Sequence, residues 1–354
     1  YANTIQLLNI TMMQPLFSIN FQDFTMIRDI VVLKRSNQIA LLVGKRQETL
    51  HSDARLLILN LLTRKFICSR SISNHSAQMD YDGNFLLMYP CYSSSIKQSS
   101  KLIVFVLRGP PKQKGRITVK FHVNQAKLYV ERNLIIVSGR SYRIEIYHFH
   151  SLQKKDTISL KGYDYPRTLE LIKSEEKLLI CTQGELLLYD LVAMKFLRCI
   201  YLEAPEIPRT GLFVSPLFCY SVLPYSEKHK TFVVTGSRAF GLRGIRSEIQ
   251  FWRFEKGELI RNHSISWENE QGGEENVEEI CYDSHTDSLF VSRGSNVLRK
   301  ITIDQYNYGT GEAIANFEAS FSANPCIKCI EHCKRTLYVY PSYGSRKILL
   351  MHLK

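Results

Sequence analysis

The sequence predicts an all-β protein: a seven-bladed β-propeller of four-stranded antiparallel blades, closed by the N-terminal strand. Three observations predict it. A phrase of four short strands joined by polar turns recurs along the chain, and self-similarity at that period marks propellers and other arrays. No window holds a sustained helical period. The 11% aromatic content is carried by 19 Tyr and 18 Phe against 2 Trp, a composition that suits strands. A β-sandwich would account for short strands but not for one phrase repeated seven times.

The first two strands of each unit form a hairpin, two apolar runs around a polar turn. In order these are RDIVVLKRSNQIALLVGK, QMDYDGNFLLMYPC, AKLYVERNLIIVSGR, TLELIKSEEKLLICTQG, YSVLPYSEKHKTFVVTGS, EEICYDSHTDSLFVSRG and IKCIEHCKRTLYVYPSYG. Third strands follow: RLLILNL, KLIVFVL, RIEIYHF, GELLLYDL, SEIQFWRF, VLRKITI and RKILLMHL. They are alternating or continuously apolar, as inner strands must be. The fourth strands, such as KFICSRSI, RITVKFHV and KDTISLKG, are more polar, as outer edges should be. Unit length is about 40 to 60 residues, the range of four-stranded blades.

The last unit ends at Lys354 after its third strand. Residues 1–22 form the closing region, with Pro15 to Phe21 expected on the outer edge of the last blade, where a proline is tolerated. TIQLLNI reads as a surplus strand. The whole of 1–354 is expected to be a single domain.

The third-strand ends Tyr189-Asp190 in LLLYD and Phe251-Trp252 in IQFW resemble the WD-repeat propeller superfamily. No Gly-His dipeptide opens a blade and no Trp-Asp dipeptide occurs, so the resemblance is to a divergent member. It implies a rigid disc used as an interaction platform, and it names no partner.

Bulk properties narrow the function. With 45% hydrophobic and 22% charged residues the chain is too apolar for disorder. No apolar run approaches the roughly 20 residues that span a bilayer, and the start lacks the pattern of a signal peptide. The nine cysteines read as reduced, buried thiols, which points to an intracellular compartment, cytoplasm or nucleus. The net charge of +13 favours an acidic partner.

Charge placement is more specific. Turns between second and third strands emerge on one face of a propeller. Here they carry Lys45 and Arg46; Arg140 and Arg143; Arg238, Arg243 and Arg246; Arg293 and Arg299; Arg346 and Lys347. Arginine suits bidentate binding of phosphate or carboxylate. Glycines among them, Gly139 and Gly236 included, leave backbone N–H groups approachable. The acidic loop from Trp267 to Glu279 is expected on the same face, where it would mask the basic ring or form a separate contact. GSRAFGLRG, Gly236 to Gly244, reads as a long insertion and the first-ranked partner loop. RGPPKQKGR, Arg108 to Arg116, reads as a stiff turn on the opposite face.

Other constellations weigh toward structure. CIKCIEHC places Cys326, Cys329, His332 and Cys333 together, but a strand throws the first two to opposite faces, so no metal is expected. His148 and His150, with His122, read as hydrogen bonders rather than a metal or base site. There is no Walker motif, nucleophile elbow or HExxH. The expected function is therefore a non-catalytic protein-interaction scaffold without cofactor, a subunit of a larger complex, binding an acidic or phosphorylated protein segment. A nucleic-acid-binding propeller is the first alternative and a propeller hydrolase or metalloenzyme the second.

Overall fold

A computed structural model describes residues 3–9, 14–21, 26–33, 38–44, 54–60, 63, 65–72, 77–90, 99–108, 111–202, 217–223, 225–226, 228–239, 245–267, 275–283, 287–295, 300–320, 325–330, 336–341 and 347–352. Two strands open the chain, β1 (Asn3–Asn9) and β2 (Gln14–Phe21). The first blade is β3 (Met26–Leu33), β4 (Gln38–Gly44), β5 (Ala54–Asn60) and β6 (Lys65–Ile72). The second is β7 (Ala77–Asp82), β8 (Phe85–Pro90), β9 (Ser100–Val106) and β10 (Lys112–Val119). The third is β11 (Val123–Tyr129), β12 (Leu134–Gly139), β13 (Arg143–His148) and β14 (Lys154–Ser159). The fourth is β15 (Thr168–Ile172), β16 (Lys177–Cys181), β17 (Glu185–Asp190) and β18 (Lys195–Tyr201). The fifth is β19 (Phe218–Val222), β20 (Thr231–Ala239), β21 (Ile245–Glu255) and β22 (Glu258–Trp267). The sixth is β23 (Glu275–Asp283), β24 (Ser288–Ser295), β25 (Lys300–Asn307) and β26 (Ala313–Ser320). The chain ends with β27 (Pro325–Ile330), β28 (Thr336–Pro341) and β29 (Lys347–His352).

The all-β propeller class holds, but the expectation of seven four-stranded antiparallel blades is overturned. Six sheets are four-stranded antiparallel blades, and the remaining sheet is different: it has five strands in the order β2-β1-β29-β28-β27. TIQLLNI supplies β1, which docks on β29 in parallel with Thr4 opposite Lys347. The strand holding Pro15 then pairs antiparallel outside β1, not on the edge of β29 itself. The physical reason is that β29 would otherwise leave a row of unpaired N–H and C=O groups, which β1 satisfies in parallel. Pro15 still lies on an outermost strand, where a proline is tolerated.

The blades are alike in detail. In the second to sixth, the turn joining the first two strands holds a residue in the left-handed region: Gly83, Asn133, Glu176, Lys230 and Asp287. Register shifts recur where the third strand meets the fourth, at Ile58/Leu59, Ile146/Tyr147, Leu188/Tyr189, Phe251/Trp252 and Gln305/Tyr306. These bulges bend each outer strand at the same place. Among the described residues the only helix is two single 3-10 turns, Val130–Arg132 and Lys173–Glu175.

Apolar residues are buried in layers between neighbouring blades. Phe149, Leu128 and Val137 of the third blade pack on Leu87 and Val104 of the second. Ile144 and Ile146, from the other face of β13, pack on Leu178 and Leu187 of the fourth. Both faces of a sheet are thus covered, so inner strands such as KLLIC and ELLLYD are continuously apolar within. Cys181 lies in the layer shared with the fifth blade and is disulfide-bonded, a correction to the all-thiol reading. Cys199 and Cys281 are free.

Polar links join the innermost strands. Asp29 accepts a hydrogen bond from the Met79 N–H at 2.6 Å. Asp80 accepts from Leu128 N–H at 2.6 Å, and Asp82 from Val130 N–H at 2.8 Å. Gln125 accepts from Leu169 N–H, and the Lys127 ammonium bonds Glu170 at 2.8 Å. The first four blades are therefore laced together along their inner strands.

Candidate basic hollow at the end of the third blade

The register of the third blade puts Val123 opposite Gly139, and Arg143 opposite Ser159. The connections 120–122, 140–142 and 160–167 therefore leave at one end of the sheet. They border an open hollow of about 730 Å³. Lys120, Arg140, Arg143 and Lys161 line it, with His122, Ser141, Thr157, Ser159 and the aromatic residues Phe121 and Tyr142. Among the described residues no carboxylate lines it.

Close backbone approach creates this arrangement. The Arg140 N–H donates to the His122 carbonyl at 3.0 Å, and the Leu160 N–H donates to the Tyr142 carbonyl at 2.8 Å. A Cβ on Gly139 would lie 1.9 Å from the His122 carbonyl oxygen and 2.4 Å from the Phe121 ring. Only glycine lets the 120–122 connection lie across the end of β12. Gly139 thereby brings Lys120 and His122 to the same rim as Arg140.

The Arg143 guanidinium lies 5.9 Å from the Phe121 ring centre, within cation–π range. Its Nε is 3.9 Å from Glu145, a long contact. Glu145 is already held elsewhere, by Lys154 at 2.7 Å and by the Tyr147 hydroxyl. Burial opposes its charge, but the bonds from Lys154 and Tyr147 outweigh burial and hold its pKa below the usual carboxylate value. Burial, then Glu145, pushes the Tyr147 phenol well above its ordinary value. Tyr142 is 60% exposed beside the cations. Chemically the hollow is a set of donors and cations suited to a polyanionic group, with an aromatic wall.

Known proteins were compared with the chain. No family model matches it, and no curated protein matches it. Solved structures do. It resembles Kuenenia stuttgartiensis hydrazine synthase at 13% identity and TM-score 0.67, over 94% of this chain and 97% of that one. It resembles the β-propeller domain of Myceliophteria thermophila Cps50 (Swd1) at 12% identity and TM-score 0.67, over 94% and 100%. It resembles KlHsv2 with loop 6CD replaced by a Gly-Ser linker at 14% identity and TM-score 0.57, over 89% of each. At these identities the likeness shows the propeller fold alone.

Of the expected basic-ring residues, the fold brings Arg140 and Arg143 together in the hollow. Arg293 is turned to another purpose: it bonds Asp304 through Nε at 2.5 Å and through a terminal nitrogen at 3.2 Å. Asn316 donates to the same carboxylate at 2.6 Å. Cross-strand proximity of β24 and β25 makes it a half-buried structural pair, not a free rim cation. Arg238 and Arg246 face each other in the ladder of β20 and β21, and Lys347 opens β29. Lys45, Arg46, Arg243, Arg299 and Arg346 lie outside the described residues, as does most of the acidic loop.

Other expectations change too. β20 and β21 run on to Ala239 and from Ile245, so part of GSRAFGLRG is strand rather than insertion. RGPPKQKGR is in part β10, which begins at Lys112. His122 sits at one end of the third blade and His148 at the other, where His148 pairs with Asn133 and the His150 N–H bonds the same side chain. Cys326 and Cys329 fall on β27; His332 and Cys333 lie outside the described residues. No group of three or more metal-ligating residues occurs among those described, and no described helix is long and apolar enough to cross a membrane.

Sequence reasoning misses Lys120, Lys161, Phe121 and Tyr142. RITVKFHV and KDTISLKG read as unbroken strands. The strands stop at Val119 and Ser159, which puts Lys120 and Lys161 on connections between blades. These connections emerge at the same end as the second-to-third turns, and basic residues there are the available signal.

Proposed function

We propose that this protein is a non-catalytic interaction scaffold that takes an acidic or phosphorylated segment of a protein partner on its basic face, as a subunit of a larger assembly. One observation carries the reading: Lys120, Arg140 and Lys161, from three separate connections, and Arg143, at the start of β13, line one hollow. The net charge of +13 supports it by steering acidic partners toward the chain. The test is affinity purification of the intact protein and of an R143E/K161E variant, followed by mass spectrometry at physiological salt. Acidic or phosphorylated proteins should be captured by the first and lost from the second. Identical captures would refute the reading.

Exposed Tyr142 beside the cations favours a second reading, a single-stranded nucleic acid that stacks one base there. It predicts affinity that falls steeply with salt. Filter binding of RNA and DNA at low and physiological salt decides it; weak, salt-insensitive retention would remove it.

A further inference from the structure

We infer that the hollow at the end of the third blade is a reader of a phosphorylated protein side chain, selective for the phosphomonoester over a carboxylate. This rests on the reading of the basic face as a partner site and names the group that enters it.

Charge favours a phosphomonoester. Lys120, Arg143 and Lys161 line one concavity with Arg140, and no carboxylate among the described residues lies on its wall. Glu145, the counter-charge beside Arg143, is 3.9 Å away and already committed to Lys154 and Tyr147. A single carboxylate offsets one such cation. A phosphomonoester carries close to two charges at neutral pH and offsets more of the mutual repulsion.

Hydrogen bonding favours it too. The wall carries many donor groups: its lysines and arginines, His122, and the hydroxyls of Thr157 and Ser159. Ser141 already donates to the Arg143 carbonyl at 3.0 Å, which fixes that turn. A phosphoryl group offers three strong acceptor oxygens to such a wall, where a carboxylate offers two. The Arg143 guanidinium, 5.9 Å from the Phe121 ring centre, is positioned by that ring rather than by a close ion pair.

Shape agrees. An open hollow of about 730 Å³ has room for one phosphorylated side chain with neighbouring peptide. Among the described residues, Ile67, Val192, Ile260 and Ile314 are exposed near the other end of their blades, beside the third-to-fourth strand turns, and Tyr142 and Tyr201 are exposed at this end. A side chain carried on a peptide suits a concavity better than a flat bilayer does, and the vesicle measurement below separates the two sources.

The experiment titrates the intact protein with fluorescein-labelled peptides Gly-Ala-X-Ala-Gly, where X is phosphoserine, phosphotyrosine, serine or glutamate. At least one phosphopeptide should bind tenfold or more tighter than the glutamate peptide. R143A and K161A, both exposed positions, should each weaken it roughly 10- to 100-fold, the range for hydrogen bonds to charged groups. Circular dichroism confirms that both variants fold. Equal affinity for glutamate and phosphopeptides would overturn the inference while leaving the acidic-segment reading standing. No binding of any peptide, with partners still captured in the affinity purification, would overturn the inference alone; absence of both would overturn both. Phosphopeptide affinity unchanged by R143A and K161A would overturn the placement. Retention on phosphatidylcholine vesicles doped with phosphatidylinositol phosphates, without phosphopeptide binding, would assign the hollow to lipid and overturn it.

Discussion

Replacing Asp80 by Asn should make the protein more stable at neutral pH, and the gain should vanish in acid. Asp80 lies on β7, innermost in the second blade, and Lys127 and Glu170 occupy the innermost strands of the next two. Burial pushes the Asp80 carboxyl from 3.8 up to about 6, against the opposing pull of Lys127 and the Leu128 N–H. Lys127 is itself opposed by burial, yet Glu170 and Asp80 hold its pKa above the usual value. The first shift marks an acid short of counter-charge, the second an ammonium well supplied with it. Counting reconciles them: one ammonium, bonded at 2.8 Å to Glu170, cannot also neutralise Asp80. The proton taken up near pH 6 thus belongs to the row as a unit, with Asp80 its main holder.

The sign follows from linkage. The folded pKa is raised, so the contribution to stability is fully present below about pH 4, where both states are protonated. It is lost as pH rises toward 6, because the unfolded chain has released its proton and the folded one has not. A rise of about two units at 1.36 kcal/mol each gives a loss of about 3 kcal/mol. Asp80 is only half-buried by surface area, and screening by solvent lowers this to roughly 1–3 kcal/mol. Asparagine imitates the neutral acid and keeps an oxygen for the Leu128 N–H. Urea unfolding of both proteins from pH 3.5 to 8 checks it, reading the difference so that other carboxylates cancel. A difference that stays flat across pH 4 to 7, or that favours aspartate at pH 7.5, would refute the argument.

Two further outcomes follow from the packing. Arg293→Ala should destabilise by about 3 kcal/mol, because it strands the buried Asp304 carboxylate, whereas Arg143→Ala, on an exposed side chain, should stay within about 0.5 kcal/mol. Equal effects in urea melts would show that Arg293 is not structural. Phe149→Ala should cost about 3–5 kcal/mol, since its fully buried ring meets Phe85 edge-on at 4.6 Å in the layer between the second and third blades; a loss under about 1 kcal/mol in thermal unfolding would show that layer to be loosely packed.

Much of the fold is written in local pattern. Apolar runs such as KLLIC and ELLLYD announce strands covered on both faces, and the polar turns between them announce hairpins, because each signal depends only on neighbours along the chain. Pairings at long range are not legible in this way. The surplus strand TIQLLNI finds its place only when β29, at the far end of the chain, presents an open edge that sets Thr4 opposite Lys347. Arg293 looks like any rim arginine until β25 sets Asp304 beside it. Lys120 and Lys161 look like strand residues until the ends of β10 and β14 are known.

The amino-acid sequence on its own therefore determined that the chain is a β-propeller and where most of its strands lie, though not all of their ends, because alternation and turn chemistry act over a few residues. Tertiary structure alone decided the five-stranded closing sheet, which cations are held internally, and which meet at one hollow. Those outcomes depend on strand ends and on a single backbone approach at Gly139, where one missing Cβ decides whether distant charges share a rim.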